Sequence, residues 1–343
     1  MPNTELSFSF SIVIAIRNEE RNIRTLLDSI ALQDYPKTQF EVIIIDDHSE
    51  DKSPKIINDF IKDHPSLKVK YSALEADKQG KKAALYQAYQ MAQNEIIITT
   101  DGDIKVPEKW LSLTNHAFGN NEIKMVLGGI KIKETNHLVG VFQALELLSL
   151  IASGAAAALL HQAIMSNGAN LAFKKTILKT IDFQKLKPHT SSGDDMFLML
   201  ETKKEFGPKS ILFLKNKAHF VQTNALKDWK SLINQRIRWV SKSSYYKDPF
   251  LMTTSWIVLL QNLLLPLLIL LSIIMPAFLQ ILWPIWFLKV VIDYIFLFNA
   301  CRFTSQNHLM KHYFLMAFIY PFFISYTAIA GQFSSFKWKG RQY

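Results

Sequence analysis

The sequence predicts an α/β fold with a mostly parallel sheet, followed by a membrane domain of apolar helices. Two observations lead to this prediction. In the first half of the chain, short runs of β-forming residues alternate with helical stretches, a pattern typical of parallel sheets with crossover connections. From Leu251 onward, Leu, Ile, Phe, Trp and Val dominate, whereas hydrophobic residues make up 49% of the 343-residue chain as a whole.

The strand candidates are residues 8–16, 41–45 and 95–100, and helical stretches cover 20–32, 53–62 and 81–92. Ligands of open α/β sheets bind beyond the carboxyl ends of the strands. Polar residues follow all three strand candidates, so we expect them on one rim of the sheet. They are Arg17-Asn18-Glu19, Asp46-Asp47 and Asp101-Gly102-Asp103.

A domain boundary is predicted where a basic stretch meets Pro249, giving a soluble domain over 1–250 and a membrane domain over 251–343. Three apolar segments, 255–275, 277–300 and 313–333, are each near the ~20 residues that a bilayer-spanning helix needs. The third contains Pro321 and is our candidate for a re-entrant helix, so two to three membrane helices are expected. The apolar stretch 138–162 contains Gln143 and Glu146 and is expected to be buried or interfacial instead.

The net charge of +10 suggests a nucleic acid, an anionic membrane surface or an anionic substrate as partner. Zinc-finger spacing and aromatic-interleaved basic repeats are absent, so no nucleic-acid partner is expected. Basic residues crowd the approach to the apolar region, which favours a membrane surface. They are Lys227, Lys230, Arg236, Arg238, Lys242 and Lys247. The single cysteine, Cys301, excludes an internal disulfide, and the polar N-terminus predicts no signal peptide.

The acidic segment Asp101-Gly102-Asp103 is the strongest single candidate for a functional site. A strand delivers two carboxylates separated by one glycine, which would let the backbone approach a ligand closely. Hard oxygen ligands suit Mg²⁺ or Mn²⁺, either of which could also bind a diphosphate. The alternative is an ordinary acidic turn, because Asp-Gly is common in turns.

Two further motifs suit a nucleotide. A carboxylate at Asp46 or Asp47 could accept the imide N–H of a uracil base, although acids after a strand also cap helices. Lys78 and Lys81 flank Gly80 before a helix, where backbone N–H groups and lysines suit phosphate. The spacing is not that of a P-loop, and a solvated basic turn is the alternative.

Asp194 and Asp195 precede an apolar helical run. One acid could cap the helix while the other acts as a general base, kept ionised by the helix dipole; the alternative is that both are caps. Lys289 and Asp293 lie four residues apart in an apolar segment, which favours an ion pair over a polar acceptor path.

Further along, Gln235, Arg238 and Trp239 occupy one side of a helix where the soluble part meets the membrane segment. Arg238 could stabilise a leaving diphosphate, and Trp239 could stack on a sugar ring. The alternative is an interfacial belt of Trp and Arg.

The order of these motifs resembles the family 2 inverting glycosyltransferases of the GT-A fold, in the membrane-bound QxxRW branch that includes ceramide glucosyltransferase, cellulose synthase and hyaluronan synthase. The resemblance implies that the residues after the first two strand candidates, the two lysines around Gly80 and the QxxRW motif bind the nucleotide-sugar. It implies metal binding by Asp101 and Asp103, an acceptor-side loop at Gly168 and Asn170, and a base at Asp195. The residues implied for the nucleotide-sugar are Arg17, Asn18, Glu19, Asp46, Asp47, Lys78, Lys81, Asp101, Gln235, Arg238 and Trp239.

The chain departs from the family at Ala15, where proline is usual, and at Asp194-Asp195, where Glu-Asp is usual. The resemblance implies transfer from a UDP-sugar to a lipid or lipid-linked acceptor, with Mg²⁺ or Mn²⁺, by a multi-pass protein of the cytoplasmic (inner) membrane whose catalytic domain faces the cytoplasm. A processive polysaccharide synthase and a non-catalytic membrane scaffold remain the alternatives.

Overall fold

The computed structural model describes residues 7–186, 193–333, 337–338 and 341–342. Twelve strands lie within these described ranges. They are β1 (Phe10–Ile16), β2 (Phe40–Asp46), β3 (Val69–Ala73), β4 (Ile96–Asp101), β5 (Ile104–Lys105), β6 (Met125–Leu127), β7 (Ile130–Ile132), β8 (Leu171–Lys174), β9 (Ile211–Phe213), β10 (Val221–Thr223), β11 (Lys337–Trp338) and β12 (Arg341–Gln342).

Eleven α-helices accompany these strands in the same ranges. They are α1 (Ile23–Ala31), α2 (Ser53–Asp63), α3 (Lys81–Met91), α4 (Trp110–Ala117), α5 (Leu138–Leu159), α6 (Ile177–Thr180), α7 (Asp194–Phe206), α8 (Trp229–Val240), α9 (Pro249–Ile274), α10 (Leu279–Thr304) and α11 (Tyr313–Phe333).

The main sheet has seven strands in the order β3-β2-β1-β4-β8-β6-β9. Strands β1 to β4 run parallel, while β8 is antiparallel to both β4 and β6. All seven residues of β2 are buried, as expected for a parallel strand covered on both faces. The predicted α/β fold with a mostly parallel sheet is therefore confirmed. The sequence patterns did not reveal β3 or the short strands after β4.

The strand register brings the predicted polar residues to one edge. Ile16 at the end of β1 pairs with Asp46 at the end of β2, and Ala15 pairs with Asp101 at the end of β4. The carboxyl ends of these three parallel strands therefore lie side by side, and the expectation of a common rim is confirmed.

Asn170 braces the interior of the same part of the molecule. Its Oδ1 accepts a hydrogen bond from Trp110 Nε1 at 2.8 Å, and its Nδ2 donates to the carbonyl oxygens of Gly129 at 2.9 Å and His219 at 3.2 Å. The side chain is 2% exposed. One buried amide therefore links four separate segments of the chain.

The chain divides into two compact units. The first comprises Met1–Lys133 and Ser153–Asn224, and the second comprises Glu134–Ala152 and Ala225–Tyr343. This division differs from the single boundary predicted at residue 250, because most of α5 and all of α8 group with the C-terminal helices. Sequence polarity marks where the apolar region starts, but it does not reveal which earlier helices pack with it.

Four helices in the described ranges are long and apolar enough to cross a membrane. In α5, 67% of an 18-residue apolar stretch is buried within the protein, whereas the corresponding share is 17% in α9 and 33% in the helix ending at Phe333. The apolar side chains of α5 thus mostly face protein, in line with the expectation of a buried helix. The three C-terminal helices expose most of theirs, as lipid-facing helices do.

The first C-terminal helix begins at a side-chain cap. α9 begins at Pro249, earlier than predicted, because the Asp248 side chain accepts a hydrogen bond from Leu251 N at 2.9 Å and caps it. α11 runs continuously through Pro321. Lys289 and Asp293 form the expected ion pair on α10, and Lys289 Nζ also lies 5.6 Å from the Tyr320 ring centroid.

We expect Asn170→Ala to lower the free energy of unfolding by about 3 kcal/mol, since each buried polar group left without its partner costs about 1–3 kcal/mol. The measurement is the thermal midpoint of the full chain in detergent, which should fall by about 5–10 °C. Asn120→Ala is the matched control, because Asn120 is exposed and bonds only its own turn. Equal midpoints for both variants would contradict the bracing role.

Candidate active site

The acidic segment after β4 owes its shape to a close approach of the chain. Asp101 is the last residue of β4, and Asp103 accepts a hydrogen bond from Thr223 Oγ1 at 3.2 Å. A Cβ atom on Gly102 would lie 2.9 Å from Glu19 Cγ and 3.2 Å from a side-chain carbon of Ile16. The glycine is therefore required by the packing of β1 and the loop after it.

Three carboxylates share this edge. Burial, followed by the charges of Asp101 and Glu19, raises the pKa of Asp103 to about 6. A divalent cation bound by these oxygens would relieve the mutual repulsion, so the residues fit Mg²⁺ or Mn²⁺. Among the described residues, no three His, Cys, Asp or Glu side chains are arranged to hold a metal by themselves. Such an ion would therefore need water or substrate phosphate as further ligands.

Lys81 supplies the positive charge at the same edge. It forms an ion pair with Asp101. The preceding lysine, Lys78, lies further from the carboxylates: its ammonium group pairs with Glu75, and its carbonyl oxygen lies 3.1 Å from His48 Nε2. Of the two lysines predicted to bind phosphate, Lys81 is thus the one placed beside the acidic segment.

The two acids after β2 have different surroundings. Asp46 Oδ1 accepts hydrogen bonds from the N and Oγ of Ser49 at 2.9 and 2.6 Å, and its Oδ2 accepts one from the Tyr71 hydroxyl at 2.9 Å. Asp46 therefore shapes the loop after β2. Asp47 Oδ2 accepts a hydrogen bond from Gly80 N at 3.1 Å, which links this loop to the start of α3. The sequence did not reveal the part played by Tyr71.

The loop after β1 is tied to the loop after β2. Arg17 Nη1 donates to the carbonyl oxygens of Asp47 and His48 at 2.7 and 3.0 Å. Asn18 has a φ of 52°, and its Oδ1 accepts a hydrogen bond from Glu50 N at 2.9 Å. Arg17 and Asn18 thus hold the two loops together, while Glu19 reaches the acidic segment. These hydrogen bonds are internal to the protein, so contact of the three residues with a nucleotide stays a prediction.

The acid pair at the start of α7 lies in the same unit. Asp194 is buried, whereas Asp195 is half-buried and its Oδ2 accepts a hydrogen bond from Gly168 N at 2.7 Å. Burial raises the pKa of Asp195, although Lys81 and the Gly168 N–H group act to lower it. Burial, more than the charge of Asp195, also raises the pKa of Asp194 to about 6. Desolvation therefore outweighs the effect expected from the helix dipole.

The two predicted acceptor-side residues, Gly168 and Asn170, have different surroundings. Gly168 contacts Asp195 through its backbone N–H, and its carbonyl oxygen accepts a hydrogen bond from Thr99 Oγ1 at 2.7 Å. The Asn170 side chain instead uses its oxygen and both amide hydrogens inside the fold. The polar atoms of this side chain are therefore already hydrogen-bonded within the protein. Contact of Asn170 with an acceptor stays a prediction.

Gln235, Arg238 and Trp239 lie on α8, in the second compact unit. All three are half-buried, whereas their neighbour Arg236 is 4% exposed. Arg236 forms a buried ion pair with Glu146 of α5 in the same unit. Glu146 was noted in the sequence only as a polar residue in an apolar stretch, because no local pattern connects residues that lie 90 positions apart.

Comparisons with known proteins bear on the family and the fold. Residues 11–180 match the family model for glycosyl transferase family 2. A β-monoglucosyldiacylglycerol synthase of Trichormus variabilis is 40% identical over 101 residues, which are 29% of this chain and 21% of that protein. The poly-β-1,6-N-acetyl-D-glucosamine synthase of Staphylococcus epidermidis is 29% identical over 175 residues, which are 50% of this chain and 41% of that protein.

The chain matches only a fifth to two fifths of the length of these two relatives. Among solved structures, the mannosyltransferase PcManGT of Pyrobaculum calidifontis in complex with GDP-Man and Mn²⁺ has a TM-score of 0.56 at 18% identity, covering 94% of this chain and 89% of that one. This likeness concerns the fold. Residues 11–180 thus form a glycosyl transferase family 2 domain, and this domain has the GT-A fold.

Proposed function

We propose that this glycosyltransferase moves a sugar from a UDP-sugar to a hydroxyl group of a membrane lipid, with inversion at the anomeric carbon. One observation carries the proposal: Lys81 forms an ion pair with Asp101 at the end of β4, Asp103 lies two residues further on, and the charges of Lys81 and Asp101 both act on Asp195. Donor binding and proton removal require these same groups close together.

On the donor side, Asp101 and Asp103 would hold Mg²⁺ or Mn²⁺, which when bound neutralises charge on the diphosphate. Lys81 adds a positive charge beside Asp101. Asp47 and the loop of Arg17, Asn18 and Glu19 would surround the base and ribose. Asp46 and Lys78 contribute by shaping the loops that carry these groups.

On the acceptor side, Asp195 is the proposed general base. The acceptor oxygen forms a bond to the anomeric carbon while its proton passes to Asp195 and the bond to the UDP oxygen breaks. The Gly168 N–H group orients the carboxylate. A pKa raised by burial makes the carboxylate a stronger base for a hydroxyl proton. Asp194 is less suited, because it is buried at 4% exposure.

Assignment to the QxxRW branch is part of the proposal. In that branch Gln235, Arg238 and Trp239 would contact the donor, with Arg238 stabilising the departing diphosphate. The motif order from the loop after β1 to α8 supports this assignment.

The proposed acceptor is a lipid because three C-terminal helices are long and apolar enough to cross a membrane. The relative named as a glucosyldiacylglycerol synthase also supports a lipid acceptor. We place the protein in the cytoplasmic membrane with its catalytic domain facing the cytoplasm, since basic residues precede α9 and would contact anionic lipid there.

A processive polysaccharide synthase is the second candidate, favoured by the relative that makes poly-β-1,6-N-acetyl-D-glucosamine. The three apolar C-terminal helices among the described residues would line little of a polymer channel, so we prefer a single transfer. A non-catalytic scaffold is disfavoured, because the acidic and basic residues of every motif are present.

We expect Asp195→Asn to lower kcat by about 10²–10⁴-fold, because the amide cannot accept the hydroxyl proton. Affinity for UDP should be unchanged. The measurement is transfer from a labelled UDP-sugar by membranes, paired with calorimetric titration of the purified protein with UDP.

Asp28→Asn is the control, since the Asp28 side chain is 47% exposed and pairs with Arg24 on α1. Retained transfer by Asp195→Asn would refute the assignment of the base. Loss of transfer in Asp194→Asn alone would move the role to Asp194.

Removal of the metal should abolish tight UDP binding. We expect calorimetric titration to show UDP binding with Mn²⁺ and a loss of at least tenfold in affinity with EDTA, because two carboxylates cannot attract a diphosphate without an intervening cation. Asp103→Asn should show the same loss in the presence of Mn²⁺, and Glu122→Gln, an exposed acid, should not. Equal UDP affinity with and without metal would count against the metal site.

Product size should separate the two catalytic candidates. We expect membranes given a panel of labelled nucleotide-sugars to yield lipid that carries one sugar, because the transferred product leaves with its lipid. Thin-layer chromatography of the extracted lipid and gel sizing of the aqueous phase are the measurements. A ladder of long saccharides would instead establish a polysaccharide synthase.

A further inference from the structure

A single buried guanidinium organises the motif on α8. Arg236 Nε donates to Glu146 Oε1 at 2.7 Å, and its Nη2 pairs with the other oxygen of the same carboxylate. Its Nη1 donates to Gln235 Oε1. Its central carbon lies 4.1 Å from the centroid of the Trp239 ring, a cation–π distance. Arg236 thus contacts two residues of the motif and one acid from α5.

The guanidinium decides which end of the Gln235 amide is available. A guanidinium has five N–H donors and no acceptor, so it can only face the amide oxygen. With Oε1 engaged by Arg236, the NH₂ group of Gln235 is the end left to meet a ligand. Two N–H donors suit an anionic partner such as a diphosphate.

The Glu146–Arg236 pair has little value as a source of stability alone. The two side chains are 2% and 5% exposed, and buried ion pairs replaced by apolar residues of similar size are often neutral or stabilising for folding. A bidentate carboxylate nevertheless fixes the plane and rotation of a guanidinium, which a point contact does not.

Helix α8 is positioned by other contacts within the same unit. The rings of Phe142 and Trp229 lie 5.0 Å apart, which packs the start of α8 against α5. A Cβ atom on Gly331 would lie 2.7 Å from Val240, so α11 packs closely on the end of α8. Loss of the Glu146 charge should therefore leave the helix in place and free the Arg236 side chain.

We propose that Glu146 is a positioning residue for recognition of the donor diphosphate: acting through Arg236, it turns the Gln235 amide so that its NH₂ group faces the ligand. The inference rests on the proposed function, which assigns Gln235 to the donor. Glu146 itself touches neither donor nor acceptor, and its effect passes entirely through the orientation of Gln235.

The test measures affinity for UDP in the presence of Mn²⁺, by calorimetry on the full chain in detergent. Glu146→Gln and Gln235→Ala should each weaken binding by about tenfold, as expected for loss of one charge-assisted hydrogen bond. The double variant should be no more than about twofold weaker than Gln235→Ala alone, because both changes remove the same contact. Additive losses would overturn the proposal.

Two further variants separate orientation from stability. Phe142→Leu should lower the thermal midpoint by loosening the packing of α8 while leaving UDP affinity unchanged. Glu146→Leu combined with Arg236→Met should fold even where Glu146→Gln does not, since no buried charge remains unpaired. Its affinity should stay as low as that of Gln235→Ala; full affinity in this variant would overturn the proposal.

The wild-type protein distinguishes this inference from the function on which it rests. Wild-type protein that neither binds UDP with Mn²⁺ nor transfers a sugar would refute the proposed function. Wild-type protein that does both, combined with additive losses in the Glu146 and Gln235 variants, would refute the role of Glu146 alone.

Discussion

The parallel pairing of β1 with β2 and β4 is the constraint on which the site depends. Parallel strands in register end at one edge, so the pairing brings Asp46 and Asp101 to the same edge, on opposite sides of β1. The loops beyond these ends then bond to one another, as Arg17 does with the carbonyl groups of the neighbouring loop. The same edge therefore collects negative charge and must compensate for it.

Compensation comes from both the chain and the ligand. Lys81 pairs with Asp101, yet burial and neighbouring acids still raise the pKa of Asp103 to about 6. A site that remains strained by like charges binds a divalent cation and an accompanying diphosphate more readily than a balanced one. Lys81 also acts to lower the pKa of Asp195, so the proposed donor site and the proposed base are electrostatically linked.

The second compact unit differs from the first, because its C-terminal helices expose apolar side chains and carry few charges. Two ion pairs involve its buried charges: Lys289 pairs with Asp293 on α10, and Arg236 pairs with Glu146 between α8 and α5. Buried pairs of this kind contribute little to stability, but they restrict side-chain orientation. Helix α8 carries residues proposed to bind the donor, and the contact of Arg236 with the Trp239 ring restricts a second side chain on this helix.

Local patterns in the sequence determined the α/β class, the acidic segment at Asp101–Asp103 and the apolar C-terminal helices, because strand alternation, turn acids and long apolar runs are short-range signals. Only the tertiary structure decided the rest. It supplied Asp46 and Asn170 with hydrogen-bond partners inside the fold, and it paired Glu146 with Arg236. Those outcomes depend on which distant side chain fills a buried hydrogen bond or neutralises a buried charge, and no spacing along the chain records such a partner.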